Sequence, residues 1–237
     1  MKLSAPVYVL KRKARLLSRD AHIPLHEALD RIAVGEGVKS WSLLSAQLAA
    51  ASPAVKLYPK LCPGDLVLIG ARPGQGKTLL SLELAIEAMK AGNRSTFFTL
   101  EFTQIHVLDR FRAIGVDPVR FEGLFDLDMS DAISADYIIE KMDGAPVGSL
   151  AVVDYLQLLD QKREHPDLMQ QVHALKRFAD KSGIIFVVIS QIDRAYELSA
   201  KSCPDLDDVR LPNPLDLSLF SKTCFLQEGE VHFRAAG

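Results

Sequence analysis

The sequence predicts an α/β protein: a mainly parallel, helix-covered sheet preceded by a small helical segment. Three features lead there. From residue 57 onward, apolar runs of strand length alternate with longer stretches of helix length, the pattern of parallel strands joined by crossover helices. Residues 1–52 instead repeat apolar side chains at helical spacing. A glycine-rich turn falls between the first strand-like run and the helix-like stretch that follows it.

The bulk composition agrees. At 237 residues the chain suits one α/β domain with a small appendage. Hydrophobic residues make up 48%, enough for a sizeable core and too many for disorder. No apolar run approaches the roughly 18–20 residues of a membrane span, and residues 1–19 read as a charged helix rather than a signal core. Cys62, Cys203 and Cys224 have no paired spacing. They read as reduced thiols, with no zinc site, in a cytoplasmic protein.

The net charge of −2 hides an asymmetry: residues 1–19 hold six cations and no acid, leaving 22 cations against 30 acids elsewhere. A basic helix on an acidic body can meet phosphate or an acidic partner, and a plain solvated face gives the same pattern.

Taken in order, Leu10, Ala14 and Leu17 mark a first helix, and Leu25, Ala28, Leu29 and Ile32 a second that breaks at Gly35 and Gly37. A third starts beside Ser40. Residues 50–54 read as a linker, separating a helical segment over 1–52 from a domain over 57–237. Residues 65–69 are a buried strand entered through Pro63-Gly64. Residues 78–90 form a helix covered by protein, ending at Gly92. A strand over 95–100, helices over 104–114 and 131–142, a strand over 150–153, a helix over 168–181 and a strand over 184–189 follow. Residues 223–225 and 230–233 close the chain as a hairpin around Glu228-Gly229. In such a sheet, ligands collect at the carboxyl ends of the strands.

The first motif stands at such an end. Ala71-Arg72-Pro73-Gly74-Gln75-Gly76-Lys77-Thr78 has the spacing of a phosphate-binding P-loop, with alanine at the first position. Gly74 and Gly76 let the backbone turn and aim N–H groups at a pyrophosphate. The helix beginning near Lys77 adds its positive end. Lys77 would reach the β- and γ-phosphates of ATP, and the Thr78 hydroxyl would ligate Mg²⁺. Residues 72–79, from Arg72 to Leu79, are the candidate ATP-binding run.

Asp154 follows four apolar residues, so it lands at a strand end as a second group for the Mg²⁺ shell. Tyr155 follows it rather than another acid, which sends the search for a water-activating base elsewhere. Glu101 ends the strand over 95–100 and can orient the attacking water. Gln191, after Ser190, offers a neutral amide that can sense the γ-phosphate.

Together, residues 71–78, Phe97-Phe98-Thr99-Leu100-Glu101, Asp154-Tyr155-Leu156-Gln157-Leu158 and Ser190-Gln191-Ile192-Asp193-Arg194 resemble the RecA-like motor domain of DnaB-type replicative helicases. The resemblance runs over about 70% of the chain and implies a RecA-like P-loop NTPase core. It implies that Lys77 and Thr78 bind phosphate and Mg²⁺, that Asp154 is the Walker B acid and that Glu101 is the catalytic base. It also implies that Gln191 couples nucleotide state to the next loop and that Arg110 lies near the nucleotide.

The chain departs from that pattern at its ends and loops. Only about 50 residues precede the core, where the family helicases carry a large helical domain. No Lys-x-Arg finger stands near the last strands; Lys222 and Arg234 are the only stand-ins. The loop after Leu159 keeps Lys162 and Arg163, but the long loop after Arg194 carries Asp205, Asp207 and Asp208, a poor surface for a phosphate backbone.

Two functions remain open on these residues. One is an ATP-hydrolysing, helicase-like enzyme acting on single-stranded DNA. The other is an ATP-dependent switch that binds a partner without unwinding DNA. Residues 1–52 would serve self-assembly or a partner protein in either case, and no membrane partner is expected.

Overall fold

The computed structural model describes residues 3–235 other than 6, 115, 161–165, 200 and 212. Four helices open the chain: α1 (Val7–Asp20), α2 (Leu25–Gly35), α3 (Trp41–Ala51) and α4 (Pro53–Leu57). Helix α2 stops where Glu36 caps it and Gly37 takes φ +83°, a left-handed conformation suited to glycine. The Ser40 hydroxyl accepts the Leu43 N–H and starts α3. The stretch read as a linker is helical on both sides of Ser52. That serine caps α4 through the Ala54 N–H, and Pro53 occupies the first turn, where its missing N–H costs nothing. Ala54 and Leu57 are buried with one face of the sheet.

The remainder alternates strands and helices: β1 (Leu66–Ala71), α5 (Lys77–Lys90), β2 (Ser95–Thr99), α6 (Gln104–Ile114), β3 (Phe125–Asp128), α7 (Ala135–Met142), β4 (Leu150–Asp154), α8 (Leu168–Ser182), β5 (Ile185–Gln191), β6 (Lys222–Gln227) and β7 (Glu230–Ala235). They form one seven-stranded sheet in the order β3-β2-β4-β5-β1-β6-β7. All neighbours run parallel except β6 and β7, the closing hairpin.

Alternation along each strand divides the core in two. Leu66 and Leu68 of β1 join Val153, Phe186 and Val188 under α7 and α8. Val67 and Ile69 join Val152, Val187 and Ile189 under α4, α5 and α6. Both faces are therefore covered, as a parallel sheet requires.

Two elements depart from the expectations. Strand β3 reads Phe-Asp-Leu-Asp and pairs only with β2, so its acids project from an edge strand. Helix α7 starts at Ala135 rather than 131, because the Ser134 hydroxyl accepts the Tyr137 N–H and sets the cap there.

Candidate functional site

The strand order places the carboxyl ends of β2, β4, β5 and β1 side by side. Thr99 pairs with Asp154, and Ala71 pairs with Gln191. Glu101, Asp154, Gln191 and the turn after Ala71 thus lie along one rim.

The turn is built as a hollow. Gly74 and Gly76 take φ +81° and +92°, and Gly76 caps α5 without any side-chain bond to the helix. The first N–H groups of α5 therefore have no side-chain acceptor and face the turn, with the positive end of a 14-residue helix behind them. That arrangement attracts a phosphate.

Asp154 is the most constrained group on the rim. It is fully buried, and neither carboxylate oxygen has a hydrogen-bond partner. Burial first, and the Glu101 carboxylate second, raise its pKa from 3.8 to about 7. Lys77, Thr78 and Arg110 act in the opposite direction, although the Thr78 hydroxyl does not satisfy either oxygen. Five side chains from four parts of the chain therefore share one electrostatic neighbourhood. A buried carboxylate without donors is costly alone and is suited to a cation. Among the described residues no group of three or more His, Cys, Asp or Glu could hold a metal by itself. The donor set of one hydroxyl and one carboxylate fits Mg²⁺ that completes its shell with phosphate and water.

The other predicted residues take distinct positions. Glu101 is exposed, one residue beyond Leu100, with its N–H donated to the Thr99 hydroxyl. Arg110 of α6 stacks its guanidinium over Phe102, 4.1 Å from the ring centre. Gln191 accepts weakly from Arg210 Nη1 at 3.4 Å, while its carbonyl accepts the Arg210 N–H at 2.8 Å. Gln157 Nε2 donates to the Arg210 carbonyl, tying the segment after β4 to the same loop.

Within the turn, the Arg72 guanidinium donates to Glu197 and to the Ile192 carbonyl. Gln75 Oε1 accepts the Glu228 N–H from the closing hairpin. Pro73, Gly74 and Leu79 are exposed. Glu197, Gln157 and Arg210 carried no assigned role in the sequence; Gln157 lies inside a motif, whereas nothing local marks the other two.

Beside the turn lies a cavity of about 380 Å³ lined by Arg72, Pro73, Gln75, Tyr196 and Gln227 among others. Gln227 Oε1 is buried without a partner.

One expectation about cations changes. Lys222 is no stand-in for a finger: it is buried and ion-paired with Asp65. In the acidic loop, Lys201 bonds Asp205 and Asp208 at 2.9 and 3.0 Å, so its charge is already matched. Arg234 is exposed on β7. Lys162 and Arg163 lie outside the described residues.

A parallel sheet with this turn after β1 and this acid after β4 has the architecture of a RecA-like P-loop protein. The comparisons narrow the likeness further. The chain is similar to the replicative DNA helicase DnaB of Leifsonia xyli subsp. xyli, with 25% identity over 181 residues, covering 63% of this chain and 40% of that protein. DnaB of Mycoplasma genitalium is 26% identical over 183 residues, covering 62% and 39%. The chain thus spans about two fifths of the curated relatives it matches. In fold it is similar to a DnaB-like replicative helicase solved in a study of its interactions with primase, with a TM-score of 0.60, 15% identity, and coverage of 95% and 74%. A KaiC-like protein from Pyrococcus horikoshii gives 0.54 at 17% identity, covering 73% and 79%. No protein-family profile matches the chain. No helix among the described residues is long and apolar enough to cross a membrane.

Proposed function

We propose that the chain binds Mg²⁺ and ATP at the turn over 72–79 and hydrolyses the γ-phosphate, as a DnaB-like ATPase that works with DNA. The observation that carries this reading is the buried, partnerless Asp154 facing Lys77 and Thr78 beside Glu101.

Each residue has one task in this reading. The N–H groups from Gly74 to Thr78 and the Lys77 ammonium bind the phosphate chain. Thr78 and Asp154 hold Mg²⁺, whose charge offsets that of the phosphates. Glu101, exposed at the rim, would orient the attacking water and accept its proton, while the buried Asp154 would serve the metal. Arg110 stands near the same carboxylates to stabilise developing charge. Gln191 reports the γ-phosphate to the loop that Arg210 borders. The cavity of about 380 Å³ beside the turn, lined by Arg72, Gln75 and Tyr196, is where the nucleoside half would sit.

The switch reading has one observation in its favour. Arg72 and Gln191 both tie the nucleotide rim to residues 192–210, and that loop spends its lysine on its own acids. A loop so arranged could change shape with nucleotide and meet a protein partner.

Turnover separates the readings. Lys77→Ala should abolish ATP binding, and Glu101→Gln should keep ATP binding while lowering hydrolysis by about 10²-fold or more. Single-stranded DNA should raise wild-type turnover several-fold. Hydrolysis undiminished in Glu101→Gln removes it from the role of base; turnover indifferent to DNA favours the switch.

A further inference from the structure

Three arginines of helix α1 stand exposed on one side of it. Helix α1 buries Leu10 and Ala14 against α2, and the Lys11 ammonium donates to the Arg112 carbonyl at the end of α6. Arg12, Arg15, Leu16 and Arg19 fall at i, i+3, i+4 and i+7, which puts them on the opposite, outward stripe. All four are exposed. None of the three arginines makes a hydrogen bond or ion pair among the described residues.

No other described helix aligns three such cations. Arg31, Lys90, Arg94, Lys141, Lys176 and Lys201 each sit beside a carboxylate. Helix α8 leaves only Arg177 and Lys181 open. The α1 stripe is therefore the longest run of unpaired cations on any described helix.

From this we infer that the outward stripe of α1 is a binding surface for the phosphodiester backbone of nucleic acid, apart from the nucleotide rim.

Three arguments select that partner. Along a helix rising about 1.5 Å per residue, the three guanidiniums span roughly 10 Å, a linear array matched to a linear polyanion. Guanidinium forks suit phosphate oxygens and are less firmly hydrated than ammonium groups. A lipid surface fits less well: an interfacial helix inserts its apolar face, and α1 has already buried Leu10 and Ala14 of that face, leaving Leu16 as the exposed large apolar side chain among its described ones. The choice of nucleic acid over an acidic protein rests on the DNA-linked reading proposed above.

The test is direct binding of the full chain, without nucleotide, to labelled oligo-dT and to a duplex of equal length, followed by fluorescence anisotropy. Arg12→Ala/Arg15→Ala/Arg19→Ala should lower affinity at about 50 mM salt at least tenfold and flatten the log–log salt slope by about 2 for the single strand. The matching lysine triple keeps the charge and should bind within a few-fold of wild type. Arg177→Ala/Lys181→Ala on α8 should bind as wild type. Which oligonucleotide binds more tightly assigns the strand form. The inference is overturned if the alanine triple binds normally, if the α8 variant loses as much, if neither oligonucleotide binds, or if phosphatidylglycerol vesicles displace the oligonucleotide. The two proposals fail separately: turnover without retention of nucleic acid overturns this surface alone, and arginine-dependent retention without turnover overturns only the ATPase.

Discussion

Arg72 and Glu197, 125 residues apart, are joined twice: Nε and Nη2 of the guanidinium both donate to Glu197 Oε1, at 2.8 and 2.6 Å. Nη1 reaches the Ile192 carbonyl at 3.0 Å. The turn after β1 is thereby fastened to the loop leaving β5. Glu197 is 60% exposed, so solvent screens the pair and its contribution to folding is about 1 kcal/mol or less. Its consequence lies in positioning. Glu197→Ala should leave the denaturant midpoint nearly unchanged and weaken nucleotide binding several-fold, because the turn loses a fixed point. Titration with a fluorescent ATP analogue, beside urea unfolding, checks both; a large stability loss with normal affinity would contradict the positioning role.

Asp154 ties stability to pH. Its carboxyl titrates at about 7 in the fold against 3.8 ordinarily. Between those values the folded chain holds a proton that the unfolded chain has lost. Stability contributed by this group is present below about pH 4 and declines as pH rises through about 7. Asp154→Asn removes the dependence. At pH 8 the metal-free variant should be more stable than wild type by an amount on the order of 2–4 kcal/mol, and at pH 4 the two should coincide. With Mg²⁺ and ATP the order should reverse, since only the ionised wild type offers a carboxylate. Urea unfolding at both pH values checks this, and a variant no more stable at pH 8 would sink it.

Where the sequence carried a local physical signal, the fold was legible. The runs 66–69 of β1, 150–153 of β4 and 185–189 of β5 are apolar throughout because both faces are covered, and the predicted α5 and α8 match the observed helices within a residue or two. Strand β3 was missed because an edge strand needs no continuous apolar run; two of its four residues are aspartates. The Ala50–Ala54 stretch misled because small residues and proline suggest a break, whereas Ser52-Pro53 is a helix start. The rim residues Glu101, Asp154 and Gln191 could be named because each stands at or just past a strand end, and Lys77 and Thr78 because a glycine-rich turn leads from a strand into their helix. The Arg72–Glu197 joint could not, since it depends on strand order rather than on local sequence.

Gly70 shows how closely that order packs. A Cβ there would meet the Phe225 ring at 2.6 and 2.8 Å and Ile192 Cδ1 at 3.1 Å. Phe225 is itself buried, so it has little room to retreat. Gly70→Ala should cost roughly 1–3 kcal/mol by overpacking. Gly70→Ala/Phe225→Leu should recover part of it, and thermal unfolding of the three proteins checks the coupling. An additive double variant would mean that the two side chains do not compete for the same space.

Lys222 and Asp65 supply the last prediction, and it depends on an asymmetry in their partners. Asp65 accepts from the Lys222 ammonium, from the Cys62 N–H at 2.6 Å and from the Ser221 hydroxyl at 2.8 Å. Among the described residues Lys222 has Asp65 alone as an ion-pair partner, and both side chains are about nine-tenths buried. Removing one member of a buried pair costs roughly 3–5 kcal/mol when the other is left without compensation. Lys222→Met leaves Asp65 two donors and should fall below that range, at about 2 kcal/mol. Asp65→Ala strands an ammonium among apolar neighbours and should reach the full cost. Asp65→Ala/Lys222→Met should be more stable than Asp65→Ala alone, because no charge is then left unpaired. Denaturant unfolding of the three variants reads these differences. ATP turnover per folded molecule should be unchanged in Lys222→Met, since a buried side chain at the start of β6 does not reach any neighbour's nucleotide; a loss of turnover in that variant at full stability would return Lys222 to the chemistry.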